Sequence, residues 1–309
     1  MTLPAWTWAW AAAAAVFAAT VALSGAGGAG ALAYAALSFG AFAAIVGLGQ
    51  MFVVTLGPGN VDLSIPASMT LAATLATKAM AGDTAMILPG LGVALGVGLL
   101  CGAANYALIL LLRIPPIIAT LASSFIYQSL AIWSNRGLRI KPPAPLADFA
   151  TGGTLGVPNL AWVGLLLAAA GWVVLERSVA GRWVLAIGQN PRAARLSGVP
   201  VEAARAGVYV ACAVLAAVAG FLLASFSGGA SLNMGTEYML TSIAVVVIGG
   251  TSIAGGRSNV PGLWGAALFL FLVVAMLNSY GFGVGARLML TGVIIVAIVG
   301  VATRKRGRA

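Results

Sequence analysis

The chemistry open to this chain is narrowed first by what it lacks. Its 309 residues contain no histidine and only six acidic side chains. Histidine is the commonest general base and metal ligand, so Ser-His-Asp hydrolases, Cys-His nucleophiles and metal hydrolases are poor matches. The six acids are scattered and form no catalytic constellation, which argues against a membrane enzyme. No G-x₄-GK[ST] phosphate loop occurs, since Lys78, Lys141 and Lys305 all stand in other contexts. The chain therefore cannot power itself with ATP. Cys101 and Cys212 lie inside apolar runs and read as buried thiols rather than a disulfide.

Each remaining polar group in or beside the apolar runs is open to a structural reading and to a pathway reading. Asp62 and Ser64 sit in GPGNVDLSIPAS (57–68), between two apolar runs. A carboxylate near hydrocarbon is costly without a partner or water. Three roles are open to Asp62: it caps the following helix, where Pro66 suits the first turn; it pairs with an arginine; or it lines a substrate path. Thr70, Thr74 and Thr77 share one helical face, a stripe suited either to sugar hydroxyls or to helix packing. Tyr127 and Gln128 offer an aromatic face and an amide, again suited to sugar binding or to interhelical hydrogen bonds. Thr251 and Ser252 lie in the glycine-rich string GGTSIAGG (249–256), which reads as close packing or as a broken span. Together with 57–62 it suggests two interrupted spans, one in each half, although no convincing internal repeat accompanies them.

One polar stretch is punctuated as a short helix. Within residues 176–205, Asn190 suits an N-cap, Pro191 the first helical position and Gly198 the stop, with Pro200 discouraging continuation. The predicted helix, about 191–197, presents Arg192 and Arg195 outward. Ala193, Ala194 and Leu196 give it a small apolar surface. So short a helix is marginal in water alone. It rests either on the inner membrane surface, with arginines toward anionic lipid, or on a packing partner.

The elements that must position these groups are membrane spans. The chain is 61% hydrophobic and 7% charged, against about 25% charged for a soluble domain. Lipid is the solvent that tolerates such a surface. The 41 glycines fall largely within apolar runs, where small residues let spans approach closely. Ten spans are expected, at about 6–23, 31–55, 63–80, 85–112, 116–133, 159–175, 204–226, 238–254, 262–280 and 286–302. The first has no basic region ahead of Trp6 and is read as retained rather than as a signal peptide. The fold class is thus all-α, a single polytopic transmembrane domain over 1–309. Its longest polar connections are an outer loop at about 134–158 and an inner one at about 176–205.

Charge sets the orientation. With the N-terminus inside, the inner side holds Arg113, Arg177, Arg182, Arg192, Arg195, Arg205, Arg257, Arg304, Lys305, Arg306 and Arg308. The outer side holds Lys78, Arg136, Arg139, Lys141 and Arg287. This bias predicts both termini in the cytoplasm. The net charge of +10 is thereby explained, and no basic domain outside the spans points to nucleic acid.

The inner loop also resembles a known family. GRWVLAIGQNPRAARLSGVP (181–200) is similar to the cytoplasmic loop of ribose-type permeases of bacterial ABC importers, with its GR-x₃-A-x-G-x-N-x-x-AARLSG pattern. GPGNVDLSIPAS (57–68), RIPPIIATLASSFIYQSLA (113–131) and IGGTSIAGGRSNVPG (248–262) resemble further strings of that family, in the same order. The resemblance implies an inner-membrane permease subunit for a monosaccharide or related polyol, working by alternating access. It assigns Asn190, Pro191, Arg192, Ala193, Ala194, Arg195, Leu196 and Gly198 to the helix that docks on a cytoplasmic ATPase. ATP and Mg are then expected on that partner, with no cofactor bound by this chain. A periplasmic binding protein and a second permease, identical or paralogous, complete the expected assembly.

The chain departs from the family at Asn60 and Pro66, where glycine is common, and at Met239 and Thr241, where acids are common. These departures leave the substrate open and allow a heterodimer. Permeases for nucleosides or branched-chain amino acids are the nearest alternatives. An ion-coupled secondary transporter would need buried titratable groups, for which Asp62, Lys78, Asp83 and Glu237 are the only candidates.

Overall fold

A computed structural model describes residues 6–135 and 140–281, together with isolated positions between 283 and 296. Twelve α-helices account for nearly all regular structure among these residues: α1 (Trp6–Ser24), α2 (Ala29–Thr55), α3 (Ile65–Met80), α4 (Ile87–Leu112), α5 (Pro116–Ser134), α6 (Ala144–Thr151), α7 (Asn159–Arg177), α8 (Val179–Gln189), α9 (Pro191–Leu196), α10 (Val201–Phe226), α11 (Tyr238–Ile248) and α12 (Val260–Ser279). A two-residue antiparallel ladder, β1 (Gly153–Thr154) with β2 (Val157–Pro158), closes the turn before α7.

Seven of these helices, α1, α2, α4, α5, α7, α10 and α12, are long and apolar enough to cross a membrane. The expected third and eighth spans behave differently. At 1.5 Å per residue α3 is about 24 Å long and α11 about 16 Å, against a hydrocarbon core of about 30 Å. The eighth span, expected to run to 254, stops at Ile248. Gly249 and Gly250 end it, Gly250 with a left-handed φ of +91°. The expected tenth span, 286–302, falls mostly outside the described residues, as do Arg136 and Arg139 of the expected outer loop.

Helix α10 is the hub. It packs on α4, α3 and α2, and the contacts are close because glycines face it. A β-carbon on Gly102 or Gly98 of α4 would collide with the backbone at Val210 or Val214. Gly220 of α10 faces the backbone of Met69 in the same way. This is the small-residue packing expected where apolar burial supplies no net drive between helices. Helix α1 lies at the periphery against α12, fastened by the Trp10 indole donating to the Pro261 carbonyl at 2.9 Å. The outward faces of α4 and α5, with Leu100, Leu111, Phe125 and Trp133, are apolar and exposed, as lipid contact requires. Both cysteines are buried and free.

Candidate functional site

The irregular segment between α2 and α3, residues 56–64, is held by side chains from the surrounding helices. Gln50 of α2 accepts from the Asp62 amide at 3.2 Å. Thr120 of α5 accepts from the Leu63 amide at 3.0 Å. Asp62 is 2% exposed, and its Oδ1 accepts from the Ser64 amide at 2.8 Å and the Ser64 hydroxyl at 2.6 Å. The Ser64 hydroxyl in turn accepts from Asn105 Nδ2 of α4 at 2.7 Å. Asn105 Oδ1 accepts from Ser123 at 2.5 Å and Tyr127 at 2.9 Å, both on α5. On the other side, Tyr209 of α10 donates to Asn60 Oδ1 at 3.2 Å, and Asn60 Nδ2 donates to the Gly57 carbonyl at 3.1 Å.

Of the three roles open to Asp62, the first holds only in modified form. Ser64 occupies the N-cap position of α3 without a side-chain capping bond. Asp62 instead closes a turn onto Ser64 that leads the chain into the helix. Among the described residues no ion pair reaches Asp62. Gln50 Nε2 is buried with no hydrogen-bond partner among those residues, and the Asp62 carboxyl also lies against the Cys212 thiol of α10.

A second irregular segment, 249–259, follows α11. It is shaped mainly by its own turns: Thr251 N to Val246 O at 3.1 Å, Ser252 N to Arg257 O at 3.1 Å and Gly255 N to Ser252 O at 3.0 Å. Asn259 caps α12 and also donates to the Gly249 carbonyl at 2.7 Å, while Thr251 accepts from the Asn259 amide at 3.2 Å. The two interruptions meet. The Gly256 amide donates to the Thr55 carbonyl at 2.9 Å. Gly188, near the end of α8, is wedged where a β-carbon would collide with Thr55 O and the Gly256 amide. Gly255 is pressed equally closely on the backbone of Gly57.

The stretch Pro191–Leu196 is helical, as its punctuation predicts. Asn190 Oδ1 accepts from the amides of Arg192 at 3.0 Å and Ala193 at 3.1 Å, and Gly198 adopts a φ of +83° just past the end. Ala194 is buried against the rest of the chain. Leu196 points away at 91% exposure and, with Pro191, Arg192, Arg195, Val201 and Arg205, borders an open groove. Arg195 is not free: it forms an ion pair with Glu202, in the first turn of α10. The other Glu202 oxygen accepts from the Tyr106 hydroxyl at 2.5 Å.

The sequence-predicted pathway residues therefore divide. Asp62, Ser64 and Tyr127 come together in one buried network. Thr70 is buried and bonded to the Pro66 carbonyl of its own helix at 2.9 Å. Thr74 is buried, its hydroxyl has no hydrogen-bond partner among the described residues, and it borders a small cleft with Thr77, Lys78, Ser134 and Asn135 at the far end of α3. Gln128 donates to the Leu232 carbonyl at 2.8 Å. Thr251 and Ser252 lie apart, in the second interruption. Sequence reasoning missed Gln50, Asn105, Tyr209 and Glu202. A lone amide in an apolar run was the available signal for Gln50 and Asn105, since such a group in lipid must find a partner. It also missed α8, whose buried face is Gly181, Val184, Ile187 and Gly188.

Comparison with known proteins gives this arrangement a family. Residues 32–299 match the family described as branched-chain amino acid transport system / permease component. A probable ABC transporter permease protein of Sinorhizobium fredii is 32% identical, covering 85% of this chain and 81% of that protein. The ribose import permease protein of Escherichia coli K12 is 30% identical over 85% and 83%. The fructose import permease protein of Rhizobium meliloti is 32% identical over 84% and 74%. No solved structure matches the chain. The apolar helices and these relatives make it a multi-pass protein of the inner membrane and a transport subunit rather than an enzyme. On these grounds the chain belongs to the permease-component family of branched-chain amino acid type transport systems.

Proposed function

We propose that this chain is the membrane subunit of an ATP-driven importer for a monosaccharide or related polyol, with α9 as the joint to a cytoplasmic ATPase. The observation that carries the reading is α9 itself. A capped six-residue helix holds a fully offered leucine beside two arginines, at the end of the bundle where both interruptions meet. Leu196 borders its groove with Pro191, Val201 and three arginines, a mixed apolar and basic surface that suits a protein partner. The relatives supply the substrate class, since two of them are named for ribose and fructose import. The family description names branched-chain amino acids instead, which keeps an amino-acid importer as the second reading.

In this reading the α9 end is cytoplasmic, ten spans bring both termini to that side, and 1–309 form one domain. The basic bias of eleven residues against five supports that orientation. ATP and Mg belong to the ATPase, which closes and moves α9. A binding protein delivers substrate at the opposite face, and a second permease, identical or paralogous, completes the pathway. Asp62, Ser64 and Tyr127 lock the first interruption, Thr70, Gln128, Thr251 and Ser252 support packing, and Thr74 faces the outer cleft.

The test is uptake into proteoliposomes holding the permease, its ATPase and its binding protein, with labelled ribose, fructose and leucine as probes. Uptake of a sugar that needs internal ATP and survives an ionophore is expected. Uptake that persists without ATP but collapses with the ion gradient contradicts the reading and favours ion coupling. ATP-dependent uptake of leucine alone moves the assignment to amino acids.

A further inference from the structure

The docking helix and the first interruption are joined by an unbroken line of side chains. Arg195 of α9 pairs with Glu202. Glu202 accepts from Tyr106 of α4 at 2.5 Å. The Tyr106 ring lies 5.9 Å from that of Tyr209, tilted by 32°. Tyr209 donates to Asn60, inside the irregular segment, at 3.2 Å. Glu202 and Tyr209 are seven residues apart on α10, so they share one face two turns apart. Tyr106 and Tyr209 are both buried. Two residues further along the same segment, Asp62 begins a second set of bonds through Ser64 and Asn105 to α5.

From this geometry we infer that Glu202, Tyr106, Tyr209 and Asn60 form a relay that carries displacement of α9 into the break between α2 and α3. This inference rests on the importer reading. Glu202 is the joint, because one carboxylate holds the docking helix with one oxygen and α4 with the other. Moving α9 pulls that carboxylate and so changes what Tyr106 can donate to. The receiving segment is suited to a second arrangement. It has no regular ladder to break, and among the described residues it leaves one buried donor, Gln50 Nε2, unused in this arrangement. The four side chains are positioning residues and need not touch substrate.

The experiment uses the full permease with its ATPase in nanodiscs, carrying Ser134→Cys as a reporter in the outer cleft, where Ser134 is buried. Labelling by a membrane-impermeant thiol reagent is timed with and without ATP plus vanadate, alongside ATPase retention. In the parent, ATP plus vanadate should raise the labelling rate about tenfold, a typical coupling between sites. Tyr106→Phe and, separately, Glu202→Gln should abolish most of that rise while leaving ATP-free labelling unchanged, and Tyr106→Phe should leave ATPase retention unchanged as well. Glu202→Asp should restore part of it. The double variant should be no worse than either single one, as members of one line require. A full rise in folded Tyr106→Phe, or losses that simply add, overturns the relay even if Glu202→Gln fails to fold. A parent chain that retains no ATPase overturns the importer reading, and the relay with it.

Discussion

The two interruptions of the bundle lie against each other yet are built from different materials. Residues 56–64 are held by side chains from α2, α4, α5 and α10, all reaching in from a distance in sequence. Residues 249–259 are held by their own backbone turns, by Asn259 and by glycines that let other backbone come close. The first is specified by polar partners and the second by space. Polar partners can be exchanged when neighbouring helices shift, whereas a steric fit resists partial change. In the importer reading, this contrast assigns movement to the first interruption and support to the second.

Substitutions can sharpen or break that contrast. The largest effect is expected at the contact between the two segments. Gly188→Ala places a methyl against Thr55 O and the Gly256 amide and should cost about 1–3 kcal/mol or more. It should appear as a lowered unfolding temperature in detergent and a reduced folded yield. Asn105→Ala removes the acceptor of Ser123 and Tyr127 and the donor to Ser64. Thermal unfolding should report a loss of about 1–3 kcal/mol from buried groups left unpaired. Tyr209→Phe removes one bond, to Asn60, and should cost about 0.5–1.5 kcal/mol by the same assay. Ser252→Ala, in the second interruption, should change stability by no more than about 0.5 kcal/mol, because the residue's turn is made by its backbone. A Ser252→Ala loss as large as that of Asn105→Ala would erase the distinction.

What was legible in the sequence was local. Asn190, Pro191 and Gly198 act within one turn of their own helix, so α9 could be read off in place. Long apolar runs announce spans because lipid sets their length, and α2, α4, α5, α7, α10 and α12 begin and end within a few residues of expectation. Helix α8 was hidden because its inward face mixes two glycines with Val184 and Ile187, a pattern that composition reads as loop. The end of α11 was overrun because apolar character does not separate helix from tightly packed turn. The partners of the site were illegible for a different reason. Tyr106 and Glu202 are 96 positions apart, and Tyr209 and Asn60 are 149 apart, so only the folded chain brings them together. The ion pair of Arg195 also changes how α9 should be probed. Reversing Arg195 would break an internal bond as well as any docking contact, whereas Arg192 and Leu196 face outward without that complication.

The most direct measurement is therefore co-purification of the ATPase with the wild-type permease and with Arg192→Glu plus Leu196→Glu, both extracted from membranes in equal amounts. The account predicts that the wild type retains the ATPase and that the double variant loses it about tenfold or more, as expected for removing an exposed anchor from an interface. Equal retention by both, with the variant correctly inserted, would show that α9 is not the joint and would contradict the account.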